Sequence, residues 1–179
     1  MAQFKPVRIR PLKEEDLSAV ARWNNDAEVG QYMDGPQPKT LEECRQWFAD
    51  CRGSRNQRLF ALETLEGKLL GELELDHISW RKREAELRIC IGEKEYWNQG
   101  YGRAAVRALL DIAFEHLNLS RIYLRVYQAN KRAINCYRKV GFRCRGRLRR
   151  LNDTQWRNLQ LMDIDRETLA KVEDKQMVI

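Results

Sequence analysis

Trp97-Asn98-Gln99-Gly100-Tyr101-Gly102-Arg103-Ala104 decides how this chain is read. Two glycines punctuate a turn, and directly behind it Val106, Leu109, Leu110, Ala113, Phe114 and Leu117 recur at helical spacing up to about Asn118. Gly100 and Gly102 carry no side chain to hold an anion off the backbone. The helix behind them offers unpaired N–H groups and the positive end of its dipole. Several charge-assisted hydrogen bonds of roughly 1.5–3 kcal/mol each anchor a pyrophosphate without a metal. A plain strand-to-helix turn has the same local sequence, so the neighbouring segments must decide.

Upstream, Leu59 to Glu63 and Lys68 to Asp76 alternate apolar and polar residues about Glu66-Gly67, which predicts a hairpin. A third strand is predicted at Ala85 to Ile91. Downstream, Ile122 to Val126 reads as a strand and Asn130 to Val140 as a helix ended by Gly141. Strand, glycine turn, helix and strand make a βαβ unit, whose two strands run parallel. Further out, Val7 to Arg10 alternates like a strand, Asp16 to Trp23 reads as a helix, and Thr40 with Glu43 forms a capping box for a second helix through Leu41, Cys44, Trp47 and Phe48. The irregular stretch between those helices, with Gly30, Gly35, Pro36 and Pro38, suits a substrate-facing role. An arginine-rich strand and a return strand from Trp156 to Ile164, joined at Asn152-Asp153, close the sheet. The expected fold class is α/β of the α+β type: a mixed, mostly antiparallel sheet with helices on both faces.

The 179 residues are read as one domain over 1–179, and 43% apolar residues suffice for a single core. Neither a signal-peptide pattern nor an apolar run of about 20 residues is visible, which leads to the expectation of a soluble, cytoplasmic protein without membrane contact. Cys44, Cys51, Cys90, Cys136 and Cys144 are odd in number and lack Cys-x-x-Cys spacing, and His77 and His116 are far apart. Neither a disulfide framework nor a metal site is expected. The net charge of +7 gathers late in the chain. With side chains alternating along a strand, Arg143, Arg145, Arg147 and Arg149 would form one stripe, either a solvated edge that discourages aggregation or a contact for ribosome or RNA.

A Rossmann site is excluded, because its third glycine position holds Ala105 and the following strand ends in Tyr127-Gln128-Ala129 without an acid. No Walker lysine follows the turn either. Instead, the segment from Tyr96 to Phe142 resembles the GNAT superfamily of acetyl-CoA-dependent N-acetyltransferases. Its Gln/Arg-x-x-Gly-x-Gly/Ala turn is matched by Trp97 to Gly102, with Trp97 in place of the usual Gln or Arg. Its Asn-x-x-Ala-x-x-x-Tyr-x-x-x-Gly-Phe pattern is matched by Asn130, Ala133, Tyr137, Gly141 and Phe142. An aromatic at the Trp97 position resembles the branch of ribosomal-protein N-terminal acetyltransferases and spermidine N-acetyltransferases. Arg8 to Leu12 and Trp23 to Asp26 resemble that branch too.

The resemblance implies the GNAT fold, with about seven strands and a splayed parallel pair at its centre. It implies acetyl-CoA as donor, with no metal. The diphosphate would rest on the turn from Asn98 through Gln99, Gly100, Tyr101, Gly102 and Arg103 to Ala104. The pantetheine arm would lie along Ile89, Cys90 and Ile91, and Asn130 would bind the arm or cap its own helix. Tyr137 is the implied acid for the departing thiolate; otherwise it is a buried aromatic. Glu74 and Glu86 are the candidate bases, each alternatively a solvated strand residue or an ion pair; His77 could serve as base but shows no orienting partner in the sequence, and His116 reads as a surface residue. Tyr32, Asp34, Glu74 and Glu86 are the candidate acceptor-binding residues. The expected acceptor is a protein N-terminal amine of ribosomal-protein type. A polyamine or aminoglycoside amine, or a non-catalytic acyl-CoA-binding or RNA-associated module, is the alternative. A monomer or homodimer is expected. Asp34, Glu42, Glu43, Glu74 and Asp76 converging on the acceptor side would favour the polyamine; an open neutral groove would favour a peptide.

Overall fold

The computed structural model describes residues 5–152 and 155–177; the junction at Asp153 lies outside them. Seven strands form one sheet: β1 (Val7–Pro11), β2 (Arg58–Thr64), β3 (Leu69–Ser79), β4 (Glu84–Ile91), β5 (Arg121–Tyr127), β6 (Arg143–Asn152) and β7 (Gln155–Asp165), in the order β1-β2-β3-β4-β5-β7-β6. All pairings are antiparallel except β4 with β5. The helices are α1 (Leu17–Asn25), α2 (Ala27–Gly30), α3 (Leu41–Gly53), α4 (Tyr101–Asp111), α5 (Lys131–Val140) and α6 (Arg166–Met177). The mixed sheet with helices on both faces stands as the sequence predicts.

The strand period sorts the core into two layers. Leu73, Leu75, Leu87, Leu124, Val126 and Met162 face α4 and α5, where Ala105, Val106, Leu109, Ile134 and Tyr137 meet them. On the other face, Ala61 and Cys90 pack under Leu17, Val20 and Trp23 of α1 and Cys44 and Phe48 of α3. Burying such side chains contributes about 1.5–3 kcal/mol each. The capping box of α3 is present: Glu43 N–H donates to Thr40 Oγ1 at 3.1 Å and Thr40 N–H to Glu43 Oε2 at 3.0 Å.

Three features depart from the sequence reading. The helix behind the glycine turn ends as α at Asp111 and continues as a π-turn over Ile112–His116. The C-terminal helix α6, whose apolar pattern is weak, closes over Gly141 through Val172. The arginine stripe does not form, because β6 bulges between Cys144 and Gly146. Beyond the bulge the faces exchange, so Arg143 lies opposite Asp163 while Arg147 and Arg149 lie opposite Gln160 and Asn158. Asp163 is buried between Arg121 and Arg145, which donate to it at 2.8 and 2.6 Å. Among the described residues no helix is long and apolar enough to cross a membrane, and no cluster of His, Cys, Asp and Glu is arranged to hold a metal ion.

Candidate active site

The parallel pair is short. β4 and β5 are bonded only from Glu84 to Glu86 and from Arg121 to Tyr123. Past Glu86, β4 stays on β3 as far as Ile91 and β5 stays on β7 as far as Tyr127, so the two strands part. The backbone groups of Leu87 to Ile91 that face the gap lack a strand partner, and such groups demand one. This gap opens into a cavity of about 570 Å³ lined by Ile89 and Ile91 from β4, by the turn, and by α5.

The turn is built by backbone geometry. Gly100, at φ 91°, is the N-cap of α4 in the left-handed region, and Asn98, at φ 59°, shares that region. The N–H groups of Tyr101, Gly102 and Arg103 precede the first intrahelical bond, whereas Ala104 N–H already donates to Gly100 O at 3.1 Å. A Cβ on Gly102 would come 3.3 Å from Ile91 Cδ1, so the turn sits close against the strand. The N–H groups left open at this helix start are donors of the kind that a diphosphate fits.

The cavity wall includes the expected Ile89, Ile91, Asn98, Gln99, Gly100, Gly102, Arg103, Asn130 and Tyr137. Cys90, Tyr101 and Ala104 do not line it. The Cys90 side chain points to the opposite face, Tyr101 packs edge-on against Tyr96 with ring centroids 5.2 Å apart, and Ala104 is buried beneath the helix. The wall also includes Tyr96, Trp97, Val106, Arg132, Ala133, Asn135, Cys136 and Lys139, which sequence reading did not place there. Trp97 is the most instructive of these. Its indole Nε1 donates to Ile91 O at 2.7 Å, taking one of the carbonyls past the splay, and the Arg132 guanidinium stacks 3.7 Å from its ring centroid. The tryptophan thus ties β4, the turn and the first turn of α5 together. Its position is legible in the motif, but its partners are not.

Asn130 caps α5: its side-chain oxygen accepts from Ala133 N–H at 3.1 Å, and the residue also lines the cavity. Tyr137, two turns further on, is 8% exposed with its ring tilted against Phe142. Burial holds its phenol well above the ordinary value, so at neutral pH it keeps its proton. Cys136 lies beside it and burial pushes its thiol up to about 11, leaving it protonated and a poor nucleophile.

The opposite face of the sheet is acidic. Glu72, Glu74 and Asp76 alternate with leucines along β3, and register sets them across from Cys90, Arg88 and Glu86 of β4. Glu86, 3% exposed, is gripped bidentately by Arg125 at 2.8 and 2.9 Å. This geometry is the ion-pair alternative for Glu86. Asp76 lies 3.6 Å from Arg88 and 3.1 Å from His77 Nδ1, which is also 3.4 Å from Glu86. His77 therefore has the orienting partners that its sequence neighbourhood does not reveal, brought round by its own positive φ of 50°. Glu74 accepts from Gln57 at 3.2 Å, and burial, then the charge of Asp76, raises its carboxyl above the usual range. Asp34 accepts from the Tyr127 hydroxyl at 3.1 Å, which brings the α2–α3 segment to this face. Tyr32 is half-buried in that segment and does not line the donor cavity. Glu43 is committed to its cap and Glu42 is exposed, so neither joins the row.

Residues 7–143 match a family model described as an acetyltransferase (GNAT) domain. The spermidine N(1)-acetyltransferase of Escherichia coli is 34% identical over 148 residues, 83% of this chain and 78% of that protein. A putative ribosomal N-acetyltransferase of Bacillus subtilis, YdaF, is 26% identical over 79% of this chain and 74% of its own length. The crystal structure of spermidine N-acetyltransferase from Vibrio cholerae in complex with CoA and spermine superposes with a TM-score of 0.85 at 26% identity, covering 92% of this chain and 98% of that one.

Proposed function

The chain belongs to the GNAT family of acetyl-CoA-dependent N-acetyltransferases, and from that premise we propose that its acceptor is a primary amine of a polyamine such as spermidine. The observation that carries this reading is the row Glu72, Glu74, Asp76 and Glu86 on the sheet face opposite the donor cavity. A protein N-terminus, the acceptor expected from the sequence, needs no such row. The similarity to spermidine N-acetyltransferases over most of the chain supports the polyamine further.

Acetyl-CoA supplies an activated acetyl thioester. The N–H groups of Tyr101, Gly102 and Arg103, with the cations Arg103, Arg132 and Lys139 around the mouth, hold its phosphates. Asn130 and the unpaired edge of β4 position its arm. Tyr137 holds a proton at Oη for the departing sulfur; a phenol is the right donor for a thiolate whose own pKa is about 8.5. Glu74 is the base. A polyamine nitrogen near pKa 10.4 is neutral in fewer than roughly one molecule in a thousand at pH 7, so a carboxylate that accepts its proton lowers the barrier. Arg125 is taken up by Glu86, whereas Arg88 reaches Asp76 and also stands directly across from Glu74, so its charge offsets only part of the burial that raises the Glu74 carboxyl.

Thiol release from acetyl-CoA, measured against spermidine, spermine, N-terminal peptides and aminoglycosides, tests this. Turnover with the polyamines is expected to exceed that with peptides. Peptide turnover without polyamine turnover would restore the protein N-terminal acceptor. Acetyl-CoA binding without release for any amine, unaltered in Tyr137→Phe, would leave a non-catalytic module.

A further inference from the structure

Within the acidic row the carboxylates are not equivalent. Glu86 has Arg125, Asp76 has Arg88 and His77, and Glu74 has Gln57. Glu72 differs: its Oε2 is buried and has no hydrogen-bond partner, although the residue as a whole keeps part of its surface open. A buried carboxylate oxygen left without a donor costs about 1–3 kcal/mol or more, and native proteins seldom retain one without use. The groups that face it are Glu74 on its own strand, Cys90 across on β4 and Cys44 and Cys51 from α3; Ala61 on β2 is apolar. None of them is a cation.

We infer that Glu72 receives a second ammonium of the acceptor, distinct from the nitrogen that attacks, and thereby sets a preference for di- and polyamines over monoamines. This rests on the polyamine reading and adds the residue that counts the charges. An ammonium supplies N–H donors as well as compensating charge, which an alcohol or amide cannot. Position agrees with this. Residues i and i+2 on a strand are about 6.8 Å apart, the reach of an extended four-carbon spacer. With Glu74 serving the attacking nitrogen, the next nitrogen of such an amine falls at Glu72.

A proton accompanies this contact. Burial, with the charge of Glu74 added, pushes the Glu72 carboxyl up to about 8, so at pH 7 the group is mostly protonated. Seating an ammonium there ionises it: the carboxyl O–H bond breaks, the carboxylate keeps the electron pair and pairs with the ammonium, and the proton passes to buffer. Spermidine binding at pH 7 therefore releases close to one proton, and its KM falls as pH rises towards 8.

The test uses the full chain saturated with CoA, titrated calorimetrically with spermidine at pH 7 in buffers of different ionisation enthalpy, beside steady-state assays with spermidine and a linear alkyl monoamine. In Glu72→Gln, proton release is expected to vanish and the spermidine KM to rise about tenfold, the equivalent of one charge-assisted contact. The acetyl-CoA KM and monoamine turnover should not change. Glu72→Asp should be intermediate and preserves the test should the first variant fold poorly. Unchanged proton release and unchanged spermidine-to-monoamine selectivity in these variants would overturn the inference and leave the polyamine reading intact. Failure of the unsubstituted enzyme to use spermidine would overturn both.

Discussion

The two faces of β4 do different chemistry with the same eight residues. Ile89 and Ile91 look into a cavity whose recognition groups are mostly backbone N–H and C=O, with a rim of cations. Glu86, Arg88 and Cys90 look the other way, towards carboxylates drawn from β3 and from the α2–α3 segment. The donor side is built from short contiguous motifs and the acceptor side from single residues on separate strands. The pyrophosphate proposed for the first has a fixed shape that one turn satisfies, whereas the flexible cation proposed for the second needs charges spaced along it.

The largest expected effect comes from breaking the wall that both sides share. A Cβ on Gly71 would lie 2.1 Å from the Cys90 carbonyl oxygen, and one on Gly92 would lie 2.0 Å from the Trp23 ring. Backbone cannot yield as a flexible side chain does, so Gly71→Ala should lose about 3 kcal/mol or more of stability, read as a fall in the urea midpoint with both sites lost together. Next is Tyr137→Phe, which acts on the chemistry alone. Turnover should fall roughly 10²–10³-fold while acetyl-CoA still binds, measured by thiol release and by calorimetry.

Trp97→Ala and Arg132→Ala sharpen the contrast from the donor side. Loss of the stack and of the Ile91 contact should raise the acetyl-CoA KM about tenfold, with Trp97→Phe milder, and leave the acceptor KM unaltered. Equal changes in both KM values would show that the faces are not separable. A pH dependence separates the acidic face from the donor side in another way. Because Glu72 holds its proton more tightly folded, up to about 8, than unfolded near 4.5, the folded state is favoured at low pH and loses that advantage as pH rises between those values. Glu72→Gln lacks the titration. It should therefore gain stability on the unsubstituted chain as pH rises from 5 to 8, seen in the thermal midpoint at each pH.

Much of the donor side was legible because its signals are local. Gly100-Tyr101-Gly102 states its own backbone requirement, Asn130 its own cap, and Tyr137 its place two turns along the same helix. The leucines between Glu72, Glu74 and Asp76 likewise give away a strand with one polar face. The arginine stripe failed because a single-residue bulge at Arg145 changes which face every later side chain occupies, and nothing in the alternation marks it. Glu72 went unremarked because a carboxylate on the polar face of a strand reads as solvated until α3 is seen to cover it.

By itself the sequence determined the βαβ unit, the glycine turn with its helix and the family, since these depend on residues within a turn or two of one another. Tertiary structure decided which carboxylates are already engaged, that Trp97 is held by Ile91 and Arg132, and that the sheet face opposite the cavity is acidic rather than neutral. Those properties depend on partners dozens of residues away, whose distance and burial fix whether a charge is paired, titrated or left for a substrate.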